Sequence, residues 1–140
     1  MRAFVGGALL LAAAAAFAAE ESGQASESTE SVGTKSVHCI DLIRIQDSDI
    51  IDNSHMLFRM VNGDLYLNTL PHACPGLRKN DPYMLRTSLN RMCDLDIITV
   101  LYTNGWGFTP GASCGLGMFE KVTEEQVEMV RRAAKSKKPS

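Results

Sequence analysis

The sequence predicts a small, mainly β fold: a curled antiparallel sheet or barrel of about six strands with one C-terminal α-helix. Three observations carry this. Short β-rich runs alternate with Gly, Pro and Asn turn residues from residue 37 to residue 122. Asn62-Gly63 stands between two such runs, and this pair is favoured where both residues of a two-residue hairpin loop need positive φ. Thr123-Glu124-Glu125-Gln126 is a capping box that opens a helix.

The first elements are not part of that fold. Arg2 gives a short positive start, Phe4 to Ala16 form an uncharged apolar run, and Ala16-Phe17-Ala18 fits the small-x-small cleavage pattern. Residues 1–18 are therefore expected to be a cleavable secretory leader. The apolar run is short for a hydrocarbon core of about 30 Å, and Glu20-Glu21 follow at once, which argues against a retained anchor. Residues 19–35, rich in Ser, Glu, Gly and Thr with Val32 as their one large apolar residue, read as a disordered linker. The folded domain is expected over 36–135, and 136–140 as a frayed basic tail.

Within the domain, Cys39–Ile45 and Ile50-Ile51 read as two short strands, or as one long strand bent at the polar break Gln46–Asp49. A two-residue loop at Asn62-Gly63 pairs Val61 with Asp64, Met60 with Leu65, Arg59 with Tyr66, Phe58 with Leu67, Leu57 with Asn68 and Met56 with Thr69. That register gathers Met56, Phe58, Met60, Leu65 and Leu67 on a core face and leaves Arg59, Tyr66 and Asn68 on a wetter one. Leu70–Pro82 is a loop interrupted by prolines and Gly76. Tyr83–Met92 fits a strand or a short helix, the strand being preferred. Ile97–Tyr102 is a β-branched strand. Asn104-Gly105-Trp106-Gly107 and Pro110-Gly111 mark a flexible connection, and Leu116–Val122 a last strand. In the closing helix Val122 and Val127 take the staple positions. Acids open it and Arg131, Arg132 and Lys135 end it, as the helix dipole favours. Val127, Val130 and Ala134 make an apolar stripe that can lie on a sheet.

Cys39, Cys74, Cys93 and Cys114 are an even number in a small domain expected to be exported, and read as two disulfides. Four cysteines allow three pairings. The preferred one joins Cys74 to Cys93, closing the Pro-rich loop onto the next strand at about 3 kcal/mol by the loop-entropy model. It also joins Cys39 to Cys114, tying the first strand to the last.

The remaining chemistry is sparse. The absence of Cys-x-x-Cys disfavours a thioredoxin-type dithiol. His38, His55 and His72 lie near sulfur or methionine, a soft donor set of the kind that suits copper, yet without metal-ligand spacing. Asp94-Leu95-Asp96 would place two carboxylates on one side of a strand entrance, and general acid–base chemistry there would need a neighbouring His. Gly105, Gly107, Gly111, Gly115 and Gly117 do not follow a phosphate-loop spacing. Trp106 reads as folded back over the barrel end rather than as an exposed platform. Removing Arg2 with the leader takes the net charge from −2 to −3, and no basic face with interleaved aromatics points to nucleic acid.

Several segments resemble a family of small exported Gram-negative bacterial proteins classed only as a domain of unknown function. They are Cys39-Ile40 with Ile45, Asp52 with Leu57-Phe58, Tyr66-Leu67-Asn68-Thr69-Leu70, Cys74-Pro75-Gly76-Leu77, Cys93 with Asp96-Ile97-Ile98-Thr99-Val100, and Cys114-Gly115-Leu116-Gly117-Met118-Phe119. Leu95 departs from the smaller or polar residue expected before Asp96. The resemblance implies an envelope location and brings no catalytic residues. The expectation is an exported, periplasmic or extracellular, non-enzymatic binding or accessory module. It would have no cofactor, no nucleic-acid partner and no stable membrane insertion once the leader is cut. Its partner would be an envelope protein or a small ligand. Two alternatives stand beside it: an envelope hydrolase using Asp94 or Asp96 with a nearby His, and a periplasmic copper or zinc binder.

Overall fold

The Asn62-Gly63 signal does form a hairpin, but with a loop one residue longer than the sequence suggested. In the structure, a computed structural model describing residues 35–87 and 89–137, Val61–Asp64 join β4 (His55–Met60) to β5 (Leu65–Thr69), and because Met60 N–H donates to Asp64 O at 2.9 Å the loop proper is Val61-Asn62-Gly63. Gly63 N–H donates to Met60 O at 2.9 Å and Gly63 takes φ +86°, so a turn is followed by a left-handed residue that closes a three-residue loop. The Asn62 side chain accepts from Asp64 N–H at 3.2 Å. This corrects the register by one residue. Arg59 faces Leu65, Phe58 faces Tyr66, Leu57 faces Leu67 and Met56 faces Asn68.

A one-residue slip turns every β5 side chain over. Met56, Phe58 and Met60 now share a face with Tyr66 and Asn68, and Leu65 and Leu67 join Leu57 on the other. Both faces can be apolar because both are covered. The first meets the main core, with Ile40, Ile98, Val100, Leu116 and Phe119. The second meets the helix through Val127, which packs with Leu57 and Leu65.

The expected leader, linker residues 19–34 and tail residues 138–140 lie outside the described residues. Among the described residues ten strands form, all paired antiparallel. β1 (Ser36–Val37), β3 (Ile45–Asp52) and β10 (Phe119–Val122) complete a five-stranded sheet in the order β1-β10-β5-β4-β3. β2 (Cys39–Asp41) pairs with β7 (Arg91–Cys93) as a short strap. β6 (Tyr83–Arg86), β8 (Ile97–Asn104) and β9 (Gly107–Gly115) form the third sheet, in the order β6-β8-β9. The fold is thus mainly β and antiparallel with a C-terminal helix, as predicted, but the sheets do not close into a barrel. The polar break at Gln46–Asp49 lies inside β3, because the real interruption is a 3-10 turn at Leu42–Arg44. Tyr83–Met92 splits into two strands that serve different sheets.

The helix α1 (Glu124–Ser136) has the predicted capping box: Gln126 N–H donates to Thr123 Oγ1 and Thr123 N–H donates to Gln126 Oε1. Val127 is buried, and Val130 and Ala134 are half-buried along the predicted stripe. Arg59 to Glu124 at 3.0 Å and Arg131 to Asp49 at 2.8 Å tie the helix to β4 and β3.

Asn68 is not on a wet face. It is fully buried, and its amide spans the backbone of Gly117, donating to the carbonyl at 2.6 Å and accepting from the N–H at 2.9 Å. This pair of bonds sets the chain's entry into β10. Asn68→Ala leaves both Gly117 groups without a partner, at a cost expected to be about 3 kcal/mol. The urea midpoint should fall with an unchanged m-value; a midpoint equal to wild type would contradict the assignment.

The disulfide pairing is also corrected. Cys39 bonds Cys93, and Cys74 bonds Cys114. The reason is topological. Cys39 lies directly opposite Cys93 in the β2–β7 strap. With β6 drawn into the third sheet and β7 into the strap, Cys93 is taken away from the Cys74 loop. Cys114, on β9, stands beside that loop instead, with the two Cα atoms 5.7 Å apart.

Candidate functional site

The β8–β9 hairpin is built in two parts. Its lower part is core: Ile98, Thr99 and Val100 are buried, and β6 pairs with Ile97–Val100 only. Beyond Val100 the ribbon has two strands and no third. Tyr102–Asn104 and Gly107–Pro110 are exposed on both faces, so this part projects from the body as an arm. The ladder continues through it, with Tyr102 opposite Thr109, Thr103 opposite Phe108 and Asn104 opposite Gly107. Gly105-Trp106 is a two-residue loop, so the segment read as a flexible connection is a tight turn followed by strand β9. Pro110 cannot donate to a ladder, which suits its place on an edge strand beside a register shift.

Trp106 does not fold back. It is 100% exposed at the tip, with Phe108 62% and Tyr102 41% exposed behind it. The tip is nonetheless ordered by its own polar groups. Asn104 Oδ1 accepts from Trp106 N–H at 3.0 Å, and Asn104 Nδ2 donates to Thr109 Oγ1 at 2.6 Å. The base is held as well. The Tyr102 ring lies so close to Gly76 and Gly111 that a Cβ at either position would collide with it. Gly76 also takes φ +81°. The Cys74–Cys114 bond fastens the same loop to β9. No Asp, Glu, Lys, Arg or His occurs from Ile97 to Phe119. The arm is therefore a rigid, uncharged, aromatic-tipped projection. Aromatic residues of this kind act as anchors at binding surfaces, because they offer large contact area for little lost side-chain freedom.

A second concavity lies where the sheets fail to close. A cleft of about 630 Å³ separates β3 from β6, lined by Ser48, Ile50, Tyr83, Leu85 and Met92 among others. Tyr83 Oη donates to Ser48 Oγ across it at 2.9 Å. Burial raises the Tyr83 pKa above the usual phenol value, the Asp47 charge acts the same way, and the Ser48 bond opposes them. At pH below the usual phenol value both folded and unfolded chains keep this proton, and the contribution to stability is full. As pH rises past that value the unfolded chain loses the proton first, so stability falls. Tyr83→Phe is expected to show a shallower alkaline loss of stability in urea titrations between about pH 9 and 11. An alkaline slope equal to wild type would contradict this.

The residues singled out from sequence are placed as follows. Asp94 and Asp96 do not share one side of a strand; they belong to the turn Cys93–Asp96, in which Leu95 takes φ +75°. Asp94 Oδ2 meets His38 Nδ1 at 2.9 Å, while the Asp96 carboxylate accepts from Cys93 N–H at 2.7 Å. The His38–Asp94 pair sits in the open, with the His38 side chain 72% exposed, and the adjacent sulfurs are locked in Cys39–Cys93. His55 pairs with Asp52 at 2.9 Å and His72 is exposed, so the three histidines do not converge. Among the described residues no three His, Cys, Asp or Glu side chains are arranged to hold a metal. The arm was missed because Gly and Pro within it masked a strand, though its unbroken lack of charge was readable.

Two disulfides point to a compartment outside the cytosol. No helix among the described residues is long and apolar enough to cross a membrane. No curated protein and no solved structure matches the chain. The model of a family of unknown function, DUF6491, matches residues 1–138, and the chain belongs to that family.

Proposed function

We propose that this chain is an exported, non-enzymatic binding module of the bacterial envelope, and that the β8–β9 arm is its recognition element. One observation carries the reading: the chain's single Trp stands fully exposed at the tip of an ordered arm, with Phe108 exposed on the strand behind it. Exposed aromatic rings without a structural duty, as at Trp106 and Phe108, cost solubility and mark an interaction site. Support for export comes from the apolar, small-residue composition of residues 1–18 and from the two disulfides.

The test uses the processed protein and envelope material from its own cells. Wild type is expected to be retained on that material, and the double variant Trp106→Ala/Phe108→Ala to lose retention. The variant should keep its melting temperature, because both side chains are exposed and surface substitutions usually change stability by less than about 0.5 kcal/mol. Equal retention of the two proteins would overturn the reading.

A hydrolase reading has the His38–Asp94 bond in its favour. It would require His38→Ala to abolish turnover of an envelope substrate while leaving retention through the arm intact.

A further inference from the structure

We infer that the arm docks on the surface of a lipid bilayer, with Trp106 and Phe108 entering the headgroup region. This rests on the reading of the arm as the recognition element and names what it recognises. Four observations favour lipid over a protein partner.

The first is size. A stable protein interface buries about 800 Å² on each side and uses about 20–30 residues. The arm offers Leu101–Pro110, and three aromatic rings of roughly 150–250 Å² each, part of which is already covered at Tyr102. That is short of a protein interface and suited to insertion.

The second is charge. Nothing on the arm carries a formal charge, so no ion must be desolvated when the tip leaves water, and no electrostatic match to a charged partner is available. Trp and Tyr are the residues enriched at membrane–water interfaces, where an apolar ring and a polar edge are both accommodated.

The third is reach. The strand residues Thr103 and Asn104, beyond the seated Tyr102, span about 7 Å at strand rise. This matches the roughly 5–10 Å to which interfacial elements bury their apolar side.

The fourth is polar satisfaction. A tip entering a partly dehydrated layer must bring its hydrogen bonds with it. Here the inward-facing backbone groups pair as far as Asn104–Gly107 and the Asn104 side chain serves both Trp106 N–H and Thr109 Oγ1, while the outer edges of the two-stranded ribbon still need water, which fits the headgroup region and not the hydrocarbon.

The structure thus describes an element that lies on a membrane rather than spanning it. The test is co-sedimentation of the processed protein with phosphatidylcholine vesicles, followed through the emission of Trp106. Wild type should sediment with the vesicles and its emission should shift to the blue. Raising salt from 0.1 to about 1 M should change binding by less than about twofold, because no screened ion pair is involved. Trp106→Ala/Phe108→Ala should weaken binding at least about tenfold, and Trp106→Phe, which keeps an aromatic ring, should weaken it less. The inference is overturned if wild type stays in the supernatant, if the double variant binds as wild type does, or if salt releases the protein. Retention on envelope material through Trp106 without binding to pure lipid would leave the arm as the recognition element and exclude lipid as its target.

Discussion

Converting Cys74 and Cys114 together to alanine is expected to cost about 4 kcal/mol, and to loosen the arm as well. The chain-entropy model gives that figure for a crosslink across 40 residues. The lost packing around fully buried Cys74 adds to it. The bond fastens the loop carrying Gly76 to the strand carrying Gly111, and these two glycines form the seat of Tyr102. Without it Tyr102 loses its seat and the arm its direction. A paired control separates the two effects. Cys39→Ala/Cys93→Ala removes a crosslink across 54 residues, of nearly the same entropic worth, from the strap. Both variants should lose similar stability in denaturant, but only the Cys74/Cys114 variant should lose retention on envelope material at a temperature where it is still folded. Equal loss of binding in the two variants would remove the disulfide from any special role at the arm. Peptide mapping without reductant checks the pairing itself, and a Cys74–Cys93 peptide would contradict the structure.

Phe119→Ala is expected to be the most damaging single substitution, at about 4 kcal/mol. Phe119 is fully buried in β10 and meets the Phe58 ring edge-on, with centroids 5.6 Å apart. It stands opposite Asn68 on one side and Val37 on the other, so its cavity opens where three strands of the main sheet join. The edge-to-face contact is lost along with the burial. A midpoint in urea lowered by less than about 1 kcal/mol equivalent would show that the site collapses around the gap, and that β10 is not the keystone of this sheet. Phe119→Leu, which keeps most of the volume, should recover much of the loss.

What could be read from the chain depended on whether the signal was local. The α1 capping box is a four-residue pattern, and the structure reproduces both of its bonds. The strand at Ile97 and the loop over Leu70–Pro82 were likewise set by neighbouring residues. The hairpin was legible but its register was not. Asn-Gly fits a two-residue loop, and the alternative of a three-residue loop with only Gly63 left-handed depends on which β5 face the helix covers. Asn68 was read as wet for the same reason, since its partner Gly117 lies 49 residues away. The disulfides failed at topology: no local feature of Arg91–Cys93 says that it leaves β6 to pair with β2. Leu95, already odd in sequence as a bulky residue before Asp96, proved to occupy a positive-φ position that favours Gly or Asn.

The candidate site divides in the same way. Absence of charge from Ile97 to Phe119 is a property of the sequence alone. That Trp106 points into solvent is not, because burial of one ring depends on whether any other part of the fold reaches it. Asp94 and Asp96 attracted notice as neighbours in sequence, yet a turn sends one to His38 and the other to the backbone of Cys93.

The most direct test is the fluorescence of Trp106, the protein's sole tryptophan. Emission and acrylamide quenching are recorded for the processed protein alone and after addition of envelope material. The arm as drawn requires a red, freely quenched indole in the isolated protein, turning blue and protected once bound. A ring already blue and shielded before anything is added, or one whose spectrum stays unchanged while the protein is retained, would contradict it.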